Sequence, residues 1–255
     1  MQLNGGVGTG VGRLTDAVAT WEASRDTALR FGHPVGVLWP EMVLLMHRIV
    51  QVDLSETLAG VEAMWPKVSE DSQIHHGLVI ARAWALTARG EVGQALADLE
   101  PALAQARRIG DAQALAPTLS TKAFALFVAG RDEEANATAD ELLSGAAMMT
   151  PGNPVADLVL ALSERGRGAD WLAACKDTHR ESEWVKAGTA AATGDFVRAA
   201  DIYGAIGARF FEAWAQLIAA ERGDLSQLEP ARAFFAAQDA TPFLRRCEAV
   251  LPLSA

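Results

Sequence analysis

Two places in this 255-residue chain hold residue types that could do chemistry: the glycine stretch GGVGTGVG at residues 5–12 and the histidine pair His75-His76. A glycine loop grips phosphate when its backbone N–H groups sit between a buried strand and a helix N-terminus, with a lysine reaching the outer phosphates. Only Met1–Asn4 precede these glycines, and Arg13-Leu14-Thr15 stand where Gly-Lys-Ser/Thr would follow. A dinucleotide fingerprint fails for the same want of a strand and of a following βαβ pattern. The stretch reads instead as a flexible leader, residues 1–13, ending at a cap from Thr15 or Asp16 for a helix that starts at Ala17.

The histidines fare no better as metal ligands. Neighbouring residues on a helix point about 100° apart, so His75 and His76 cannot share one ion as an i, i+4 pair would. His33, His47 and His179 lack Cys or carboxylate partners at ligand spacing. No metal or cofactor is expected. No Ser-His-Asp order, nucleophile elbow or Cys-His signature can be read either, so the chain is expected not to be an enzyme. Cys175 and Cys247 have no CxxC neighbour and read as free thiols in a reducing compartment. Acidic runs such as Asp132-Glu133-Glu134 and Asp140-Glu141 belong at helix starts or on solvated outer faces.

Charge narrows the partners. With 22 basic against 32 acidic residues the formal net charge is −10, the wrong sign for a duplex or an anionic membrane. No apolar run approaches the ~18 residues of a membrane span, and no signal-peptide pattern opens the chain. A cytoplasmic protein is the expectation.

The elements that would position any site are helices. From residue 14 onward, stretches rich in Ala, Leu, Glu and Arg alternate with short breaks. The breaks fall at Gly32–Pro34, Val52-Asp53, Ser69–Ser72, Gly90, Gly110-Asp111, Gly130 and Thr150–Pro154. They continue at Gly166–Gly168, Gly194, Gly207 and Gly223–Glu229. An all-α chain of about a dozen helices follows, with residues 14–255 forming one helical-repeat domain.

Internal repeats mark the pairing. An alanine stands seven residues before a turn glycine and another five after it: Ala83/Ala95 about Gly90, Ala123/Ala135 about Gly130, Ala161/Ala173 about Gly168, and Ala187/Ala199 about Gly194. Ala219/Ala231 keeps the twelve-residue separation while its glycine slides to Gly223. Small residues at these places let two antiparallel helices cross closely on either side of a tight turn. Leu99, Ala139, Asp177, Tyr203 and Phe235 follow one helical turn later on the same face.

These residues resemble the tetratricopeptide helix hairpin, though the second alanines are spaced 40, 38, 26 and 32 residues apart and the family's Trp-Leu-Gly signature is missing. The stretches DFVRAADIYGAIGARFFEAWAQLIAAERG (195–223), ARAFFAAQDATPFLRRCEAVL (231–251) and ALRFGHPVGVLW (28–39) are similar to the degenerate helical-repeat tails of large actinobacterial-type regulators. Those regulators carry an ATPase module, with a cyclase domain in front or a LuxR-type helix-turn-helix behind. The resemblance implies a right-handed solenoid of antiparallel helix hairpins that regulates by interaction. This chain has no Walker motif, cyclase carboxylate pair or DNA-reading helix after Leu251, so it corresponds to the tail region alone, with no direct nucleic-acid contact expected.

Repeat register turns three positions of each first helix inward: Ile80, Trp84 and Thr87; Ser120, Phe124 and Phe127; Leu158, Leu162 and Arg165; Trp184, Gly188 and Ala191. Two arrangements suit so aromatic a face. An open concave groove would bind a peptide or partner domain through Trp84, Phe124, Phe127, Arg165 and Trp184. A strongly curved array would instead pack these residues as core. The functional expectation is a non-catalytic regulatory interaction module, with an ATPase or cyclase module among its candidate partners. The alternative is a sensor holding a small molecule inside the curved array.

Overall fold

The computed structural model describes residues 13–51, 53–144, 155–176 and 182–250. The leader glycines, the Thr150–Pro154 break and Asp177 lie outside them. Among the described residues there are fourteen α-helices and no strand. The first seven are α1 Leu14–Arg30, α2 Pro34–Gln51, α3 Leu54–Met64, α4 Gln73–Arg89, α5 Val92–Ile109, α6 Ala112–Val128 and α7 Asp132–Ser144. The second seven are α8 Ala156–Glu164, α9 Gly168–Cys175, α10 Glu183–Ala192, α11 Phe196–Ile206, α12 Arg209–Glu221, α13 Leu228–Ala237 and α14 Thr241–Val250. The chain is all-α.

Short polar residues start these helices and glycines end them. Side chains of Asp53, Ser72, Asp111, Ser182 and Asp195 accept a backbone N–H from the first turn of α3, α4, α6, α10 and α11. At Gly90, φ is +94°, and Glu91 N–H donates back to the Leu86 carbonyl at 2.8 Å while Gly90 N–H reaches Thr87 at 3.0 Å. The same pair of bonds closes the helices at Gly130, Gly166, Gly194, Gly207 and Gly223. Asp239 does it without being glycine, at φ +52°, and so separates α13 from α14 at a break the glycine pattern does not show.

Two expectations need correcting. Helix α1 starts at Leu14, three residues before Ala17; Arg13 stands at its cap with no side-chain hydrogen bond, and Asp16 lies in its first turn. In the third repeat the turn glycine is Gly166, not Gly168, which opens α9. The register slides by two residues, and Ala173 is exposed while Trp171 is buried. Gly168 has another use: a Cβ there would lie 2.2 Å from the Ala192 carbonyl oxygen, so the start of α9 sits against the end of α10. The other nine alanines of the repeat pairs are buried, and Ala83, Leu86, Ala95 and Leu99 form a cluster between α4 and α5.

Helices α1 to α7 each pack against the next across these short turns, so alternate helices of that stretch run in the same direction. The even-numbered helices form an inner row: α2 packs on α4, α4 on α6, α6 on α8, and α8 on α10. Helix α12 then packs against α2 and α8, and α14 against α4. The row curls back on itself. Side chains facing inward from the two ends of the chain therefore meet in one continuous core.

Candidate functional site

Four of the five residues expected on a concave face lie inside that core. Trp84, Phe124, Phe127 and Trp184 are buried, covered by rings from the last third of the chain. The Trp84 ring lies 4.7 Å from Phe210 and 5.3 Å from Phe124; Phe124 lies 5.3 Å from Trp214 and 6.2 Å from Phe243. Trp184 joins the same layer through Phe211, which lies 6.3 Å from it and 6.0 Å from Trp84, and packs 6.2 Å from Tyr203. The rings that an open groove would offer to a partner are thus used by α12 and α14. Arg165 alone keeps an exposed part, 27% of its side chain, with its guanidinium 4.1 Å over the Phe127 ring.

Beneath this aromatic layer lies a carboxylate the sequence reading did not single out. Asp157, in the first turn of α8, is buried. It accepts hydrogen bonds from Trp84 Nε1 at 3.1 Å, from the Ser120 hydroxyl and from the Leu158 amide at 2.8 Å. It thereby ties α4, α6 and α8 together. Burial pushes its pKa up to about 6, against the pull of those three donors. The Tyr203 hydroxyl is buried without a hydrogen-bond partner, and its pKa is raised, first by burial and then by the Asp157 charge. The one available signal was a lone acid at the head of the apolar run ADLVLALS, which amphipathic periodicity alone assigns to solvent.

The site open to a ligand lies at the edge where α2, α4 and α6 begin. A cleft of about 240 Å³ opens between these helices and the end of α5. Helix α2 contributes Trp39, Met42, Val43 and Met46, a stripe at i, i+3, i+4 and i+7. Ile80 and Pro117 face it from α4 and α6, and Gly77 lets Met42 lie against α4: a Cβ at Gly77 would be 2.5 Å from the Met42 sulfur. Methionine side chains fill irregular shapes at low cost, so such a wall adapts to what enters.

Polar groups ring this apolar floor. Gln73, Gln105 and Gln113 line it, beside the capping residues Ser72 and Asp111 of α4 and α6. His76 also lines the cleft, whereas its neighbour His75 stacks edge-on against Trp65 at 4.7 Å. The two rings diverge, as their adjacency on a helix requires. His76 Nε2 lies 2.9 Å from Thr118 Oγ1, whose own hydroxyl donates to the Ala114 carbonyl at 2.7 Å. The threonine proton is committed, so Nε2 carries the ring proton and donates. Burial lowers the His76 pKa, keeping the ring neutral at pH 7. Among the described residues no group of three His, Cys, Asp or Glu side chains could hold a metal ion.

One exposed apolar side chain, Ile109, lines the cleft, and others lie at the same end of the molecule. Leu29, Phe31 and Val35 surround the α1–α2 turn and Ile109 ends α5; Phe31 is 81% and Ile109 61% exposed. Both turns lie at the end of the molecule where α2, α4 and α6 start, since alternate helices run parallel. Among the described residues, four of the five large exposed apolar side chains thus gather at one end, Leu225 being the fifth.

A second cleft, of about 400 Å³, lies between the ends of α6 and α8 and the face of α14. Phe124, Phe127 and Arg165 border it together. The structure therefore brings three of the five expected residues to one place and leaves Trp84 and Trp184 in the core. Comparison with protein-family models, with curated proteins and with solved structures finds no match for the chain. Among the described residues, no helix is long and apolar enough to cross a membrane.

Proposed function

We propose that this chain is a non-catalytic interaction module, a right-handed tetratricopeptide-like solenoid curled tightly enough to fill its own inner face. It docks a partner peptide or domain along the edge where α2, α4 and α6 begin. The observation that carries this reading is the Trp39–Met42–Met46 stripe opening beside the exposed Ile109, at the end of the molecule that also exposes Phe31 and Val35. An amphipathic helix could seat apolar anchors in the cleft while its polar flank meets Gln73, Gln105 and Gln113. The resemblance of the sequence to regulator tails places an ATPase or cyclase module first among the partners to be tried. A second reading, a small-molecule sensor, is favoured by the polar ring of His76 and the glutamines above the apolar floor.

A photoreactive amino acid at position 109, used in the native host, tests the choice. The interaction reading expects a discrete cross-linked protein that disappears when Phe31→Asp and Val35→Asp are combined, at unchanged melting temperature. No adduct, with a low-mass compound held by the purified chain in native mass spectrometry, would replace it with the sensor.

A further inference from the structure

We propose that the second cleft is a binding site for a small organic carboxylate with a compact apolar body. The argument is one of donors and acceptors. Glu164 is the only carboxylate lining the cleft, and its oxygens are already taken: Oε2 accepts from Trp214 Nε1 at 3.1 Å and from Arg246 Nη2 at 2.9 Å, and Oε1 accepts from Arg165. Donors remain in excess. Arg246 gives Nε and Nη2 to Glu221 and Glu164, which leaves both N–H groups of Nη1 without a partner among the described residues. Arg245, exposed on the next residue of α14, makes no ion pair or hydrogen bond with any side chain of the described residues. A ligand that fits this lining must bring acceptors, and a carboxylate matches a guanidinium edge with two oxygens at once.

The walls set the rest of the ligand. Phe127, Val128 and Pro242 form apolar sides, with Phe124, Trp214 and Phe243 packed below. Arg165 is not free to swing away, since Asp132, Glu164 and the Ala161 carbonyl hold it over the Phe127 ring. Arg165 and Arg246 are thus held in place before a ligand arrives, which spares part of the loss of side-chain freedom on binding. The cleft spans α6, α8 and α14, so an occupant would join the middle of the row to its last helix. This inference stands apart from the docking edge, which lies at the other end of the molecule.

Benzoate, benzyl alcohol and inorganic phosphate are the probes, titrated against the full chain while the Trp214 indole N–H signal is followed by nuclear magnetic resonance. A Trp214→Phe variant assigns that signal. Benzoate is expected to shift it saturably, with at least tenfold weaker binding by benzyl alcohol, which lacks the charge, and by phosphate, which lacks the apolar body. Arg245→Gln should weaken benzoate about tenfold, the loss of one charge-assisted contact, with the melting temperature unchanged because Arg245 supports nothing in the fold. Absence of any benzoate response, equal response to benzyl alcohol or phosphate, or unaltered benzoate binding in Arg245→Gln would each overturn the proposal.

Discussion

Asp157 carries the clearest consequence at the scale of single residues. Its folded pKa of about 6 lies above its ordinary value of 3.8, so the folded chain holds this proton more tightly than the unfolded chain. Stability from this group is therefore fully present below the ordinary value and is lost as pH rises through about 6. The linkage amounts to roughly 1 kcal/mol between pH 7.5 and pH 5. Asp157→Asn cannot titrate, so urea denaturation should find it more destabilising at pH 5 than at pH 7.5 by about that amount. Equal destabilisation at both values would mean that the carboxylate is not buried as described. This residue was not legible in the sequence because an acid near a helix start normally faces water and the dipole. Only the tertiary contacts of Trp84 and Ser120 reveal that Asp157 faces inward. Phe124, Phe127 and Arg165, by contrast, were legible as inward-facing from repeat register alone.

At the scale of elements, glycine and alanine spacing carried most of the information. Gly90, Gly130 and Gly194 end helices as their positions required, since few other residues adopt their left-handed backbone cheaply. The third hairpin broke the pattern because its sequence, Gly166-Arg167-Gly168, offers two glycines and only the first takes positive φ; the second is needed against Ala192. Asp239 escaped because its turn uses an acid where glycine is the usual choice. The paired alanines can be tested directly. Ala95 and Ala199 are buried, and Ala137 is exposed on α7. Ala95→Leu and Ala199→Leu should each destabilise by about 1–3 kcal/mol through overpacking. Ala137→Leu should change stability by less than about 0.5 kcal/mol in the same denaturation experiment. Three equally mild variants would show that the spacing is composition and not packing.

At the scale of the whole molecule, the decisive feature is the return of α12 and α14 onto α2, α4 and α8. Periodicity tells which face of a helix is apolar but not which helix covers it, so the sequence left both groove and core open for Trp84 and Trp184, with core the favoured of the two. The curl selects the core and leaves Met42, Met46 and the exposed Phe31 and Ile109 at the edge proposed for docking. Contact between Trp84 and Phe210, from distant parts of the chain, is the direct signature of that curl. A double-mutant cycle of Trp84→Leu and Phe210→Leu, measured by chemical denaturation, tests it. Rings at 4.7 Å should couple by about 0.5–1.5 kcal/mol beyond the sum of the single effects. Effects that simply add, within about 0.3 kcal/mol, would mean that the two rings do not meet and that the inner face is open.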